Sequence, residues 1–194
     1  MSRVKYIILV AFLCVLSSVT KMSGIMAQEW NSARITVLNG GNIPFVFNTL
    51  DRFRKGIELN NASKFGITLS TNNVPGHELT GFQLNFRSFN MQPAIQGEVY
   101  SIPLDRIRVK AENALGLETG LSQGYVSLNT GWMPLFSYEN PLWTNLSWNA
   151  HQINISYECG KPVDMGGNGV LLGESPDYYV VEIEFEIIPT GTGF

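Results

Sequence analysis

Thiols, histidines and charges are all scarce in this chain, and each shortage removes a class of chemistry. Cysteine occurs only at 14 and 159. Cys14 lies in the N-terminal apolar run, so loss of that run leaves Cys159 alone and no internal disulfide can form. A lone mature thiol reads as a buried small apolar residue rather than a reactive one. Histidine occurs only at 77 and 151. No HxxxH or CxxC spacing offers zinc ligands, residues 164–168 (DMGGN) lack the acidic density of a calcium loop, and no GxxxxGK[ST] cradles phosphate. His151 and Cys159 flank one apparent strand, about 26 Å apart if it is extended, too far for a nucleophile and its base. No catalytic centre, metal or cofactor is expected. Charged residues make up only 15% of the chain. Removing Arg3, Lys5 and Lys21 with residues 1–27 leaves ten basic residues against sixteen acidic ones, a net charge of −6. That balance argues against nucleic acid and against an anionic membrane surface as partners.

What is present begins with a leader. Arg3 and Lys5 precede an unbroken apolar run, residues 6–15 (YIILVAFLCV), followed by Ser17, Ser18 and Thr20, with Ala27 as a small residue before Gln28. This order of charge, apolar core and small-residue exit predicts a secretory signal peptide over 1–27. The run is shorter than the about 20 residues of a membrane span. No transmembrane segment is therefore expected after its removal, a retained N-terminal anchor being the alternative. Leu13 is too large for lipoprotein processing at Cys14. Residues 28–194 are then a single exported domain, periplasmic or at the cell surface or extracellular, long enough to bury its own core.

From Arg34 onward the dominant signal is period two, the mark of half-buried strands. Ile35 and Val37 alternate with polar neighbours, and residues 43–47 (IPFVF) form a denser run in which Pro44 suggests a strand edge or bulge. Phe82, Leu84 and Phe86 make one of the clearest strands. Ile107 and Val109 form another, as do Ile153, Ile155 and Tyr157. Val181, Ile183, Phe185 and Ile187 form the last, expected to stop at Pro189. Turn chemistry separates the runs at residues 39–42 (NGGN), 72–76 (NNVPG) and 166–169 (GGNG). The best helical candidate is residues 50–55 (LDRFRK), ended by Gly56. No longer window carries an apolar stripe at helical spacing. The pattern predicts an all-β fold, a single antiparallel β-sandwich with Greek-key or jelly-roll connections.

Three features could carry chemistry or recognition. Glu182, Glu184 and Glu186 share one strand face. Their roughly 6.6 Å spacing approaches the separation used by the paired carboxylates of jelly-roll glycoside hydrolases. A solvated face of the last strand is the simpler reading. Arg106, Arg108 and Lys110 form a ladder of opposite sign, and cross-strand pairing with acidic neighbours is preferred over a polyanion site. If the two ladders lie on neighbouring strands of one sheet they should pair, and this is the arrangement expected. Trp132, Trp143 and Trp148, near Tyr125 and Tyr138, could stack on sugar rings as a carbohydrate-binding module, against the commoner fate of core packing.

The order of landmarks is phenylalanine-rich 45–48 (FVFN), then 50–53 (LDRF), 102–104 (IPL) with the basic strand, 154–157 (NISY), 176–179 (PDYY) and a terminal strand. It resembles exported β-sandwich proteins of Bacteroidota associated with the envelope, gliding or type IX secretion apparatus, its translocon plug protein among them. The resemblance spans most of residues 34–189. It implies a non-catalytic envelope or surface protein acting through protein–protein contacts, as an assembly, accessory or plug-like subunit whose partner is another envelope protein. A glycan-binding module and a small glycoside hydrolase are the rival readings.

Overall fold

Alternation becomes architecture most plainly in β3 (Leu79–Ser88), where Phe82, Leu84 and Phe86 face inward and are fully enclosed while Gln83 and Arg87 take the other face. The computed structural model describes residues 31–71, 78–139, 145–162, 171, 173–175 and 177–191. The expected leader, the turns at 72–76 and 166–169, His77 and Trp143 lie outside the described residues. β3 is flanked by β11 (Ile183–Gly191) and β9 (Met133–Glu139), and β7 (Leu121–Ser122) completes a four-stranded sheet in the order β11-β3-β9-β7. The other sheet joins β1 (Asn31–Asn39), β2 (Ile57–Thr71), β10 (Gln152–Cys159), β6 (Ile107–Leu115) and β8 (Val126–Ser127), in the order β1-β2-β10-β6-β8. A small hairpin, β4 (Ala94–Gln96) with β5 (Ser101–Pro103), stands beside them. Every pairing is antiparallel.

The inner faces of the two sheets make the core. Phe65, Ile67 and Leu69 of β2, Ile107 and Val109 of β6, and Ile153, Ile155 and Tyr157 of β10 pack toward Phe82, Leu84 and Phe86. Phe65 meets Phe185 edge-on at 4.9 Å between ring centroids, so the two sheets lock through their aromatic side chains. Each large side chain enclosed in this way contributes about 1.5–3 kcal/mol. Gly81 is required where β3 crosses β9, since a Cβ there would lie 1.8 Å from the Tyr138 carbonyl oxygen.

Four expectations need correction. Val37 faces inward opposite Phe65 yet is 59% exposed, because β1 is an edge strand and the space beside it is open. Ile35, Ile183 and Phe185 are half-buried for the same reason. Residues 43–47 run extended but belong to no sheet. The last strand continues through Pro189 to Gly191, which an edge strand tolerates because proline's missing N–H can face away from the ladder. The acidic and basic ladders do not neighbour each other, since β11 and β6 belong to different sheets. The short helix α1 (Leu50–Lys55) forms as expected, with Thr49 Oγ1 accepting the Arg52 N–H at its start and Gly56 at its end.

Candidate functional site: an apolar groove at the open seam

Gly40 creates the site. β1 ends at Asn39, opposite Lys64, and Gly40 then turns the chain out of the sheet with φ +75°. A Cβ at Gly40 would lie 2.0 Å from the Ala62 carbonyl oxygen, so only glycine fits. Ser63 Oγ donates to the Gly40 carbonyl and also meets the Tyr157 hydroxyl at 3.0 Å, which pins the departure point. Residues 42–47 then run alongside the core. Ile43, Phe45 and Phe47 turn toward it, Pro44 and Val46 are exposed, and Phe47 rests on Phe53 of α1.

The facing wall is the chain leading into β11. Val180 and Gln96 exchange backbone hydrogen bonds at 3.0 and 2.7 Å, tying this wall to β4. The Asp177 carboxylate accepts the N–H groups of Val99 (2.9 Å) and Tyr100 (3.1 Å) at the β4–β5 turn. Those donors, Val99 first, hold its carboxyl below the ordinary value. Tyr179, Val181, Ile183 and Phe185 carry the apolar lining onward.

Between the walls lies a groove of about 990 Å³ floored by Phe65, Ile95, Ile102, Ile107, Tyr157 and Cys159. Its rim is unusually apolar: Val37, Val46, Tyr178 and Val180 are each about half exposed or more. Patches of this kind mark interaction surfaces. Burial pushes the Cys159 thiol up to about 12 and the Tyr157 hydroxyl above its ordinary value, so neither is an available nucleophile or base near neutrality. Among the described residues the charged members of the lining are Glu174, Asp177 and Glu182, and none is Lys, Arg or His. Arg106 neutralises Glu174 at 3.0 Å. The groove is built to bury apolar surface, with an acidic rim.

The residues singled out from the sequence are placed elsewhere for the most part. Arg108 and Lys110 lie on the outer face of β6 and are paired, whereas Arg106, expected on the same strand, ends the 3-10 turn Leu104–Arg106 before it and reaches Glu174 of the groove instead. Arg108 bonds Glu158 directly across the strand, and Lys110 meets Glu112 at 2.9 Å. Glu158 and Glu58 stand opposite each other on β10 and β2, with Lys161 bonded to Glu58 and 3.8 Å from Glu158. Lys161 holds Glu58 below the ordinary carboxylate value, while burial raises Glu158 despite its cationic neighbours. Burial, and then its hydrogen bond to Glu58, raises the Tyr125 hydroxyl.

Glu184 lies on the outer face of β11 and pairs with Arg87 of β3 at 2.9 Å, and Glu186 shares that face. Glu182 precedes the strand, is exposed, and is the one member of the trio at the groove. The three carboxylates therefore do not converge on one cleft. Trp132 has its ring covered by the Arg87 guanidinium at 4.2 Å on one sheet, whereas Trp148 lies over Gly66 on the other. These two tryptophans share no platform, and Trp143 lies outside the described residues. His151 accepts from the Ser147 N–H at the far end of β10 from Cys159. Among the described residues no group of three His, Cys, Asp or Glu could hold a metal, and no helix is long and apolar enough to cross a membrane.

The groove escaped the sequence reading because its walls are irregular. The signal available was the density of residues 43–47, four apolar side chains and a proline that an ordinary exposed loop would not carry. The chain matches no family model and no curated protein.

Proposed function

We propose that this is an exported, non-catalytic envelope or surface protein that works through contacts with another envelope protein, and that the groove between residues 42–47 and 177–185 is where the partner binds. The observation that carries the reading is the apolar groove of about 990 Å³ with exposed Val37, Val46, Tyr178 and Val180 at its mouth. Large apolar surface left in water is costly, and its recurrence around one concavity favours a contact site over scattered exposure. The leader-like N-terminus supports export. The order of landmarks shared with exported Bacteroidota β-sandwich proteins supports an accessory or plug-like role near the gliding or type IX secretion apparatus. The test is site-specific photocrosslinking in the native envelope, with the reactive group at Val46 or Tyr178 and a control at Leu121, which is 67% exposed and outside the groove. One envelope protein crosslinked from both groove positions and not from Leu121 is the expected result. Equal labelling from all three, or none, would remove the groove from the account.

A further inference from the structure

The wall formed by residues 43–47 is a strand without a sheet. Its side chains alternate as a strand's do, with Ile43, Phe45 and Phe47 inward and Pro44 and Val46 outward. The backbone N–H groups of Ile43, Phe45, Val46 and Phe47 find no acceptor among the described residues. Of their carbonyls, only that of Val46 is taken among the described residues, by the Arg52 guanidinium at 2.8 Å. An extended main chain that pairs with no other strand among the described residues, beside an apolar slot, is a template for strand addition, in which backbone bonds supply affinity and alternate side chains fill the slot. A lipid or other hydrocarbon ligand would fill the slot but leave those amides unpaired, which is unfavourable once water is displaced.

Resting on the reading of the groove as a protein-contact site, we infer that its occupant is an extended partner segment that pairs with residues 43–47, places alternate apolar side chains in the groove and carries basic residues between them. The charge follows from the rim. Glu182 is exposed on the groove lining, and backbone N–H groups hold the Asp177 carboxyl below its ordinary value. Among the described residues the lining itself holds no Lys, Arg or His, with Arg106 offsetting only Glu174 and Arg52 bonding the Val46 carbonyl. A second copy of this chain is the poorer occupant, because it would set one acidic rim against another in a molecule of net charge −6 without its leader.

The probe is a blocked peptide of about nine residues alternating lysine and valine, titrated into mature protein at low salt and followed by anisotropy. Controls are a glutamate–valine peptide of equal length and two lysine–valine peptides N-methylated on one or the other alternate set of amides. The expected result is binding of the lysine–valine peptide, with its loss on methylating at least one set. The Ile43, Phe45 and Phe47 amides, which share one edge, should gain protection from hydrogen exchange, and the Val46 amide, on the edge whose carbonyl Arg52 occupies, should gain less. Glu182→Lys, an exposed site, should weaken binding about three- to tenfold. Undiminished binding of both methylated peptides would overturn strand addition, equal binding of the glutamate peptide would overturn the charge assignment, and absence of binding by the lysine–valine peptide would overturn both. Self-association of the mature protein with protection of the same amides would make a second copy the occupant. In each of these cases, crosslinking from Val46 decides separately whether the groove contacts a partner at all.

Discussion

Leu84 sits mid-strand between Phe82 and Phe86, opposite Ile187 on one side and Phe136 on the other, with no solvent exposure. Truncating Leu84→Ala should cost about 2–5 kcal/mol in chemical denaturation. Val37 carried the same alternation in the sequence and came out exposed. Periodicity tells which way a side chain points, and not whether anything lies in front of it, which depends on the strand's place in the sheet. Asp177 makes the complementary case, a half-buried polar residue with a structural task. Backbone N–H groups bond its carboxyl most strongly when it is ionised. The order it confers on the β4–β5 turn should be present above the ordinary value of 3.8 and lost as pH falls through its lower folded value. Protection of the Val99 and Tyr100 amides, relative to their intrinsic exchange rate, should fall in that acid window, and in Asp177→Ala at every pH above it.

The strands legible in the sequence were β1, β3, β6, β10 and β11, whose alternation runs without interruption over the predicted residues. β2 was missed because a bulge near Asn61, which adopts φ 52°, shifts its inward set partway along, so neither half looks long. β9 was obscured in the same way, its register slipping opposite Leu84 and Asn85 so that Leu135 and Phe136 are both enclosed. β11 pairs with β3 along its whole length and supplies Phe185 to the core. Deleting residues 180–194 should therefore abolish soluble folded protein, and a truncation that still unfolds cooperatively would contradict this. The charge ladders taught a different lesson, since opposite signs on two strands do not reveal which strands are neighbours. Glu184 instead faces Arg87. Reversing it to Lys should destabilise the protein by about 0.2–1 kcal/mol more than Gln, a difference that shrinks with salt.

Residues 31–194 form one compact unit in which most neighbouring strands are distant in sequence. Such interleaving leaves no piece with a complete core of its own. Tryptophan fluorescence and far-ultraviolet dichroism should therefore report coincident unfolding transitions in urea, and separated midpoints would reveal an independent subdomain. The sandwich as a class was readable from turn spacing and alternation alone. Its open seam was not, because that depends on where two sheet edges stop relative to each other, and strand ends are set by single residues such as Gly40 rather than by pattern.

Cys159 gives the molecule a built-in clock. It is the one thiol outside residues 1–27, it lies on the groove floor, and it is 5% exposed with a pKa of about 12. At neutral pH burial keeps the thiolate that reagents attack scarce. The pace at which an alkylating agent consumes the protein therefore counts how often the floor is laid bare, and a single mass increment reads it with no label engineered into the chain. A filled slot slows the count, and an emptied one lets it run.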